Sequence, residues 1–482
     1  MGWELDDVEK PFIEQLQGLG WTHINGCLDN PKTTNRHSFS EVIQSDVLRR
    51  KLCEINLRQV DGKLESWLDE ERLSEALAAI TRIPTTKLME ANQATTQLLL
   101  LGLTVEGVAG WDGGRGQTIR YIDWQNPQNN DFTVISQYRV DCLAGYNSGK
   151  AFIIPDLVLL VNGIPVVVVE CKSPSIQEPL AEAIDQLRRY SNQRHANHEV
   201  EDNEGHEPLF FTNQLLIATS FDEARVGAIG GLFEHFASWK TVSPAKEEDI
   251  AAQLGVTALS EQQRLIAGML SKTNLLDIIQ HFTLFMQVGG QNIKTVCRYQ
   301  QFRAVSKAIQ RLQTGKTRQQ DGENDHRGGI IWHTQGSGKS LTMVFLVRKL
   351  RTNTQLRRFK VIVVTDRKDL QKQLSDTAAL TGEVVQVASS IDSVKRLVSN
   401  KGPALLFITI QKYRDPDAKN NEKDNEDDLE EANEPTKEPD KNTQYDLIND
   451  DDSILVLIDE AHRSHTKDSH AYLMGGIPNA AK

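Results

Sequence analysis

HTQGSGKSLTM, His333 to Met343, stands directly behind the apolar run Gly329 to Trp332. An apolar strand that turns through a glycine-rich loop into a helix is what a nucleotide phosphate site needs. Gly336 and Gly338, with Ser337 between them, let backbone N–H groups wrap the phosphates. Lys339 can then reach the β- and γ-phosphates and the Ser340 hydroxyl can ligate Mg²⁺, at a helix N-terminus that favours negative charge. The loop carries His333 where the general pattern has glycine. Its glycines bunch beside the lysine, so the loop reads as a variant of that pattern.

Working outward, the 482 residues leave room for about three domains of ordinary size. Asp415 to Asp452 holds sixteen acidic residues and four lysines, a balance of −12 that equals the net charge of the whole chain. The remainder is neutral in sum, so the acidic pI describes one segment and does not exclude nucleic-acid binding elsewhere. That segment, 415–452, is poor in apolar residues and reads as a loosely held insertion. Five cysteines without a CxxC spacing suggest neither disulfides nor a zinc knuckle, and fit a reducing cytoplasm. The longest apolar stretch, Ile153 to Val169, is interrupted by Asp156 and Asn162-Gly163 and is not a membrane span.

Amphipathic helices are expected over Val8 to Leu19, Val42 to Leu57, Leu64 to Ile80 and Lys87 to Leu101, and strands over Thr118 to Asp123 and Phe132 to Val140. Next come IIPDLVLLVNGIPVVVVECKSP, Ile153 to Pro174, two continuous apolar runs joined at Asn162-Gly163, a strong hairpin signal. Runs of this kind are buried on both faces, where three charged residues, Asp156, Glu170 and Lys172, are out of place without a task. Glu170 and Lys172 share a strand face. Asp156 joins them only if paired residue numbers sum to an even value, such as 326. A two-residue turn pairing Val161 with Ile164 gives an odd sum, so a bulge or odd-length loop is expected near Asn162 to Pro165.

Two carboxylates and a lysine so gathered would suit a Mg²⁺-dependent phosphodiesterase, the lysine orienting water or stabilising charge on the phosphate. A structural ion pair at a strand end is the alternative. After Pro174, a helix over Pro179 to Tyr190 sets Gln186 and Tyr190 four apart on one face. PD…ExK followed by QxxxY resembles the nuclease cores of the RecB-type and restriction endonuclease superfamily. The resemblance implies that Asp156 and Glu170 bind metal, that Lys172 assists catalysis and that Gln186 and Tyr190 support the site or DNA. It also implies an acid from an N-terminal helix, Glu9 here, with Glu14 as substitute. Leu209 to Thr219 and Gly227 to Trp239 read as a last strand with its packing helix, Ser243 to Leu270 as a helical connector, and Leu275 to Met286 as the start of the next unit.

RYQQFRAV, Arg298 to Val305, resembles the adenine-reading Q motif of superfamily 2 helicases, with Gln301 preferred over Gln300; a plain helix start is the alternative. Lys360 to Asp366, Ala404 to Thr409 and Ile454 to Asp459 read as buried parallel strands. The last delivers Asp459-Glu460-Ala461-His462: Asp459 would hold Mg²⁺ through water and Glu460 would activate the attacking water. TDRKDL (Thr365 to Leu370) and TIQKY (Thr409 to Tyr413) occupy the places of DNA-backbone contacts in such motors.

The order PD…ExK, QxxxY, RYxQ, HTQGSGKS, DEAH resembles the R subunit of type I restriction-modification enzymes over essentially the whole chain. The resemblance implies an α/β protein: a PD-(D/E)xK endonuclease domain over 1–243, a helical connector over 244–290 and a RecA-like superfamily 2 motor domain over 291–482. It implies an ATP- and Mg²⁺-dependent site-specific deoxyribonuclease that translocates double-stranded DNA beside methyltransferase and specificity subunits and cuts away from the recognition site, with no membrane partner. Such subunits are roughly twice as long, so a second RecA-like domain is expected to be absent here and translocation lost. A nuclease-motor part of another DNA-processing system, or a non-catalytic DNA- or partner-binding fragment, are the alternatives.

Overall fold

The computed structural model describes residues 4–85, 87–108, 110–142, 151–193, 205–334, 336–365, 368–379, 383–388, 390–408, 447–459 and 475–482. The chain divides into two units, Met1–Tyr299 and Gln300–Lys482. None of the described helices is long and apolar enough to cross a membrane.

The first unit is built on one seven-stranded sheet whose strands lie side by side in chain order: β1 (Thr22–Asn25), β2 (Phe132–Ser136), β3 (Leu157–Val161), β4 (Ile164–Cys171), β5 (Leu215–Thr219), β6 (Ala224–Gly227) and β7 (Ala237–Ser238). The pairs β1/β2 and β4/β5 are parallel and the others antiparallel. Every residue of β3, β4 and β5 is buried, as their unbroken apolar sequence requires. Asn162 (φ 53°) and Gly163 (φ 79°) form the turn between β3 and β4, the two left-handed positions that a type I′ hairpin demands.

The turn alone sets an odd register: Ile164 faces Val161 and Pro165 faces Leu160. The ladder then shifts between Pro165 and Val167, so that Val167 faces Leu159 and Val169 faces Leu157. Val166 is the extra residue, one position beyond the expected place. The sum changes there from 325 to 326, which sets Asp156 opposite Glu170, as the charged pattern requires.

Helix α1 (Lys10–Gly18) buries Phe12, Ile13 and Leu16. It is entered through a π-type turn, Leu5–Glu9, in which the Lys10 N–H bonds to the Leu5 carbonyl; the expected helix over Val8 to Leu19 therefore has an irregular first turn. Helices α2 (Ser45–Ile55), α3 (Glu70–Thr81) and α4 (Leu88–Leu101) follow. The expected helix over Leu64 to Ile80 is corrected at its start. Lys63–Ser66 is a strand paired with Leu57–Val60, and the helix begins only where the Asp69 carboxylate accepts the Arg72 N–H as a cap. Of the strand expected over Thr118 to Asp123, only Gln117–Ile119 forms.

Helix α5 (Pro179–Tyr190) starts with proline, whose missing N–H costs nothing there. Its stripe Leu180, Ala183, Ile184, Leu187 and Tyr190 packs into the core with Val158, Leu160, Val168 and Leu216. Beyond β5, Gly227 to Trp239 holds the end of β6, a 3₁₀ turn at Phe233–His235 and the two-residue edge strand β7 instead of the expected helix. Helices α6 (Glu247–Leu254), α7 (Glu261–Met269) and α8 (Lys272–His281) lead into a hairpin of β8 (Thr283–Val288) and β9 (Gln291–Val296). Leu275 to Met286 thus belongs to the first unit, not the second. Lys294 on β9 anchors that hairpin: its buried ammonium donates to Asn92 Oδ1 (2.9 Å), Asn213 O (2.8 Å) and Gln214 Oε1 (2.9 Å).

The second unit contains a four-stranded parallel sheet: β10 (Lys360–Val364), β11 (Val385–Ala388), β12 (Ala404–Ile408) and β13 (Ile454–Ile458), in the order β11-β12-β10-β13. Helices α9 (Tyr299–Thr314), α10 (Lys339–Thr352), α11 (Lys368–Ala379) and α12 (Ile391–Ser399) complete it. The strand expected over Gly329 to Trp332 is absent. The Gly329 N–H bonds to the Lys482 carbonyl, but Ile330 is 96% and Trp332 87% exposed. With no strand beside them among the described residues, these β-prone residues stay irregular.

Candidate active site

At the end of the β3–β4 hairpin, Asp156, Glu170 and Lys172 are all buried. The Asp156 carboxylate accepts the Cys171 N–H at 2.8 Å, and the Lys172 ammonium donates to Glu170 Oε1 at 2.7 Å. Glu170 is 1% exposed, yet its Oε2 has no hydrogen-bond partner. Glu170 lies against the Asp156 carboxylate, and two facing buried carboxylates need a shared proton or a bound cation between them. The donor set is all hard oxygen, which suits Mg²⁺ or Mn²⁺.

Glu9 completes the group. It is buried, it accepts a hydrogen bond from Gln137 Nε2 at 3.3 Å, and one oxygen each of Glu4, Glu9 and Asp156 lie within 4.8 Å of one another. Glu14 is exposed. Glu4 was not a sequence candidate, because acids five apart lie about 140° apart on an α-helix. The π turn, closing i to i+5, brings such residues round to one side.

Burial and mutual repulsion raise the proton affinity of these acids. Burial, then Asp156, pushes Glu9 up to about 7; burial pushes Asp156 up to about 6 against the Cys171 N–H; burial and then Asp156 push Glu170 well above the usual range. For Lys172 burial works downward, but Glu170 and Asp156 outweigh it and the ammonium is held charged. Gln186 Nε2 donates to the Tyr190 hydroxyl at 2.6 Å, and that hydroxyl donates to the Ile154 carbonyl at 3.1 Å. The pair therefore braces the backbone two residues before Asp156.

In the second unit, Gly336 (φ 76°) and Gly338 (φ 80°) are both left-handed, and α10 begins at Lys339 and Ser340. The Ser337 N–H and hydroxyl both donate to the Thr334 carbonyl, closing the loop. Gln301 is buried and its amide donates to the Gly338 carbonyl at 2.9 Å; a Cβ on residue 338 would meet that amide at 2.6 Å. The residue chosen for adenine thus touches the phosphate loop. At the carboxyl ends of β10 and β13, Thr365 Oγ1 donates to Asp459 Oδ2 at 3.2 Å. Glu4 and Gln137 are residues whose place only the fold reveals, whereas Thr365 opens the TDRKDL stretch and the fold adds its bond to Asp459. Glu460, Asp366-Arg367, the TIQKY stretch and most of the acidic segment lie outside the described residues.

Comparison with known proteins agrees with both halves. Residues 4–231 match the family described as type I restriction enzyme R protein N terminus, and residues 300–482 match the SWI2/SNF2 ATPase family. The type I restriction enzyme HindI endonuclease subunit of Haemophilus influenzae is 30% identical over 465 residues, covering 95% of this chain and 39% of that protein. The putative MjaIXP endonuclease subunit of Methanocaldococcus jannaschii is 25% identical, over 98% of this chain and 41% of that protein. The SauMRSORF196P endonuclease subunit of Staphylococcus aureus is 22% identical, over the same shares. The chain spans about two fifths of the length of these relatives. Its first part is thus similar to the N-terminal region of type I restriction enzyme R proteins and its second part to a SWI2/SNF2 ATPase region, in the order that the endonuclease-subunit relatives share.

Proposed function

We propose that the first unit is a PD-(D/E)xK-type nuclease that hydrolyses phosphodiesters of double-stranded DNA with Mg²⁺, and that the second is a RecA-like nucleotide-binding lobe of a DNA translocase. The observation that carries the nuclease reading is the bulge at Val166, which turns Asp156 onto the face of Glu170 and Lys172 beside an unpartnered Glu170 oxygen. A purely structural ion pair needs neither Asp156 nor an orphaned oxygen.

Asp156, Glu9 and Glu4, whose oxygens gather in one place, would hold the cation, with Glu170 joining them through its free Oε2 beside Asp156. When bound, it would supply Lewis acidity toward a phosphate oxygen and an acidified water. Lys172 keeps its proton beside Glu170 and presents positive charge where negative charge grows on the phosphate. Gln186 and Tyr190 hold the strand that carries Asp156. In the second unit the N–H groups of Gly336 to Ser340 and the Lys339 ammonium would bind ATP phosphates, with Ser340 and Asp459 on Mg²⁺ and Glu460 activating water.

The relatives support the wider assignment: a subunit that works with methyltransferase and specificity subunits in the cytoplasm, pulls DNA by ATP hydrolysis and cuts away from the recognised site. The division proposed is nuclease 1–243, connector 244–290 and motor lobe 291–482.

The test is Mn²⁺ calorimetry on the chain and on Asp156→Ala and Glu170→Ala, with plasmid nicking beside it. Binding and nicking are expected in the native chain and lost in both variants. Binding that persists in both would overturn the nuclease reading.

A further inference from the structure

Gln137 is a half-buried glutamine in the left-handed region, φ 52°, immediately after β2. A long side chain adopts that conformation only where its surroundings impose it. Here they do so from several directions. The Gln137 N–H donates to the Asp156 carbonyl at 2.7 Å, and its own carbonyl accepts the Arg139 N–H at 3.0 Å. From the other side the Gly26 N–H donates to the Ser136 carbonyl at 2.9 Å, so close that a Cβ on residue 26 would fall 2.3 Å from the Ser136 oxygen and 2.5 Å from the Gln137 oxygen. The backbone of Gln137 is thus locked to that of Asp156, while its amide donates to Glu9 Oε2 on the N-terminal turn. It is the residue that ties these two acids, 147 positions apart in sequence, into one geometry.

We propose that Gln137 is a positioning residue of the nuclease site: it holds one oxygen of Glu9 and leaves the other to ligate the cation that Asp156 ligates. This rests on the nuclease reading above. Glutamine suits the task because an amide donor can hold a carboxylate without competing for the cation, whereas an ammonium would add a repelling charge. A residue serving only the turn would be glycine or asparagine, which take left-handed φ at less strain.

That contrast supplies the test. Gln137→Gly relieves the backbone and removes the amide; Gln137→Met keeps the length and removes only the donor. Both are measured in the full chain by Mn²⁺ calorimetry and thermal melting without metal, with Asp156→Ala as reference. The expected result is Mn²⁺ affinity about 10-fold weaker in both, with Tm unchanged or raised in Gln137→Gly and unchanged in Gln137→Met. Native affinity in Gln137→Gly and Gln137→Met, while Asp156→Ala has lost binding, overturns the role of Gln137 and leaves the nuclease reading standing. Weakened binding accompanied by a lowered Tm in both variants also overturns it, since Gln137 would then be a structural residue. Native affinity in Asp156→Ala removes the nuclease reading itself, and this proposal with it.

Discussion

Two apolar runs in this chain lead into polar motifs, and they end differently. Ile164–Cys171 has strands on both sides and is buried throughout, so the carboxylate and lysine at its end are rigidly aimed. Ile330 to Trp332, before the phosphate loop, has no strand beside it among the described residues and stands in solvent. Hydrophobicity qualifies a segment to be a strand, but the ladder is made by its neighbours.

The sharpest way to break the comparison is to remove its geometric basis. Inserting one alanine between Val168 and Val169 moves Glu170 one position along the ladder and turns it to the face opposite Asp156. Mn²⁺ binding by calorimetry is expected to vanish. Retained binding would mean that the strand register does not aim the acids.

A smaller effect separates the runs energetically. Leu160→Ala in β3 is expected to cost about 3 kcal/mol, because Leu160 is fully buried in the nuclease core. Ile330→Ala is expected to change stability by less than about 0.5 kcal/mol, as exposed positions do. Denaturant melts of the two variants would contradict the comparison if the costs were alike.

The smallest effect is one of pH. Asp156 and Glu9 have pKa values raised on folding to about 6 and about 7, from 3.8 and 4.5. The folded chain therefore holds more protons than the unfolded chain between about pH 4 and pH 7. Stability from these groups is present at the acid end and lost as pH rises through the folded values. Without metal, this contribution should fall across that window, and added Mg²⁺ should raise Tm more at pH 8 than at pH 6. Melts that show an equal Mg²⁺ shift at both would place the cation away from these acids.

Much of the β3–β4 hairpin was legible in sequence, because three charges in an apolar run demand one face and parity arithmetic then demands a bulge. Pro179 to Tyr190 was legible through its helical spacing. Glu4 was not, since α-periodicity sets it apart from Glu9. Gln137 was not either, as nothing in TVISQYRV announces a left-handed residue bound to an acid far away. The run before the phosphate loop misled for the reason given above: its pattern is local and its pairing is not.

The π turn at Leu5–Glu9 has a consequence for phase. In a regular α-helix, acids four apart come to the same side; across this turn, acids five apart do. A spacing of four on an even helix and a spacing of five on a bulged one are thus interchangeable solutions to a single geometric demand. A chain that gained or lost one residue here could keep its pair of carboxylates while every column of a residue-by-residue comparison shifted. What persists through such a change is an angle about the helix axis, and an equivalent of Glu4 would have to be sought by angle rather than by position.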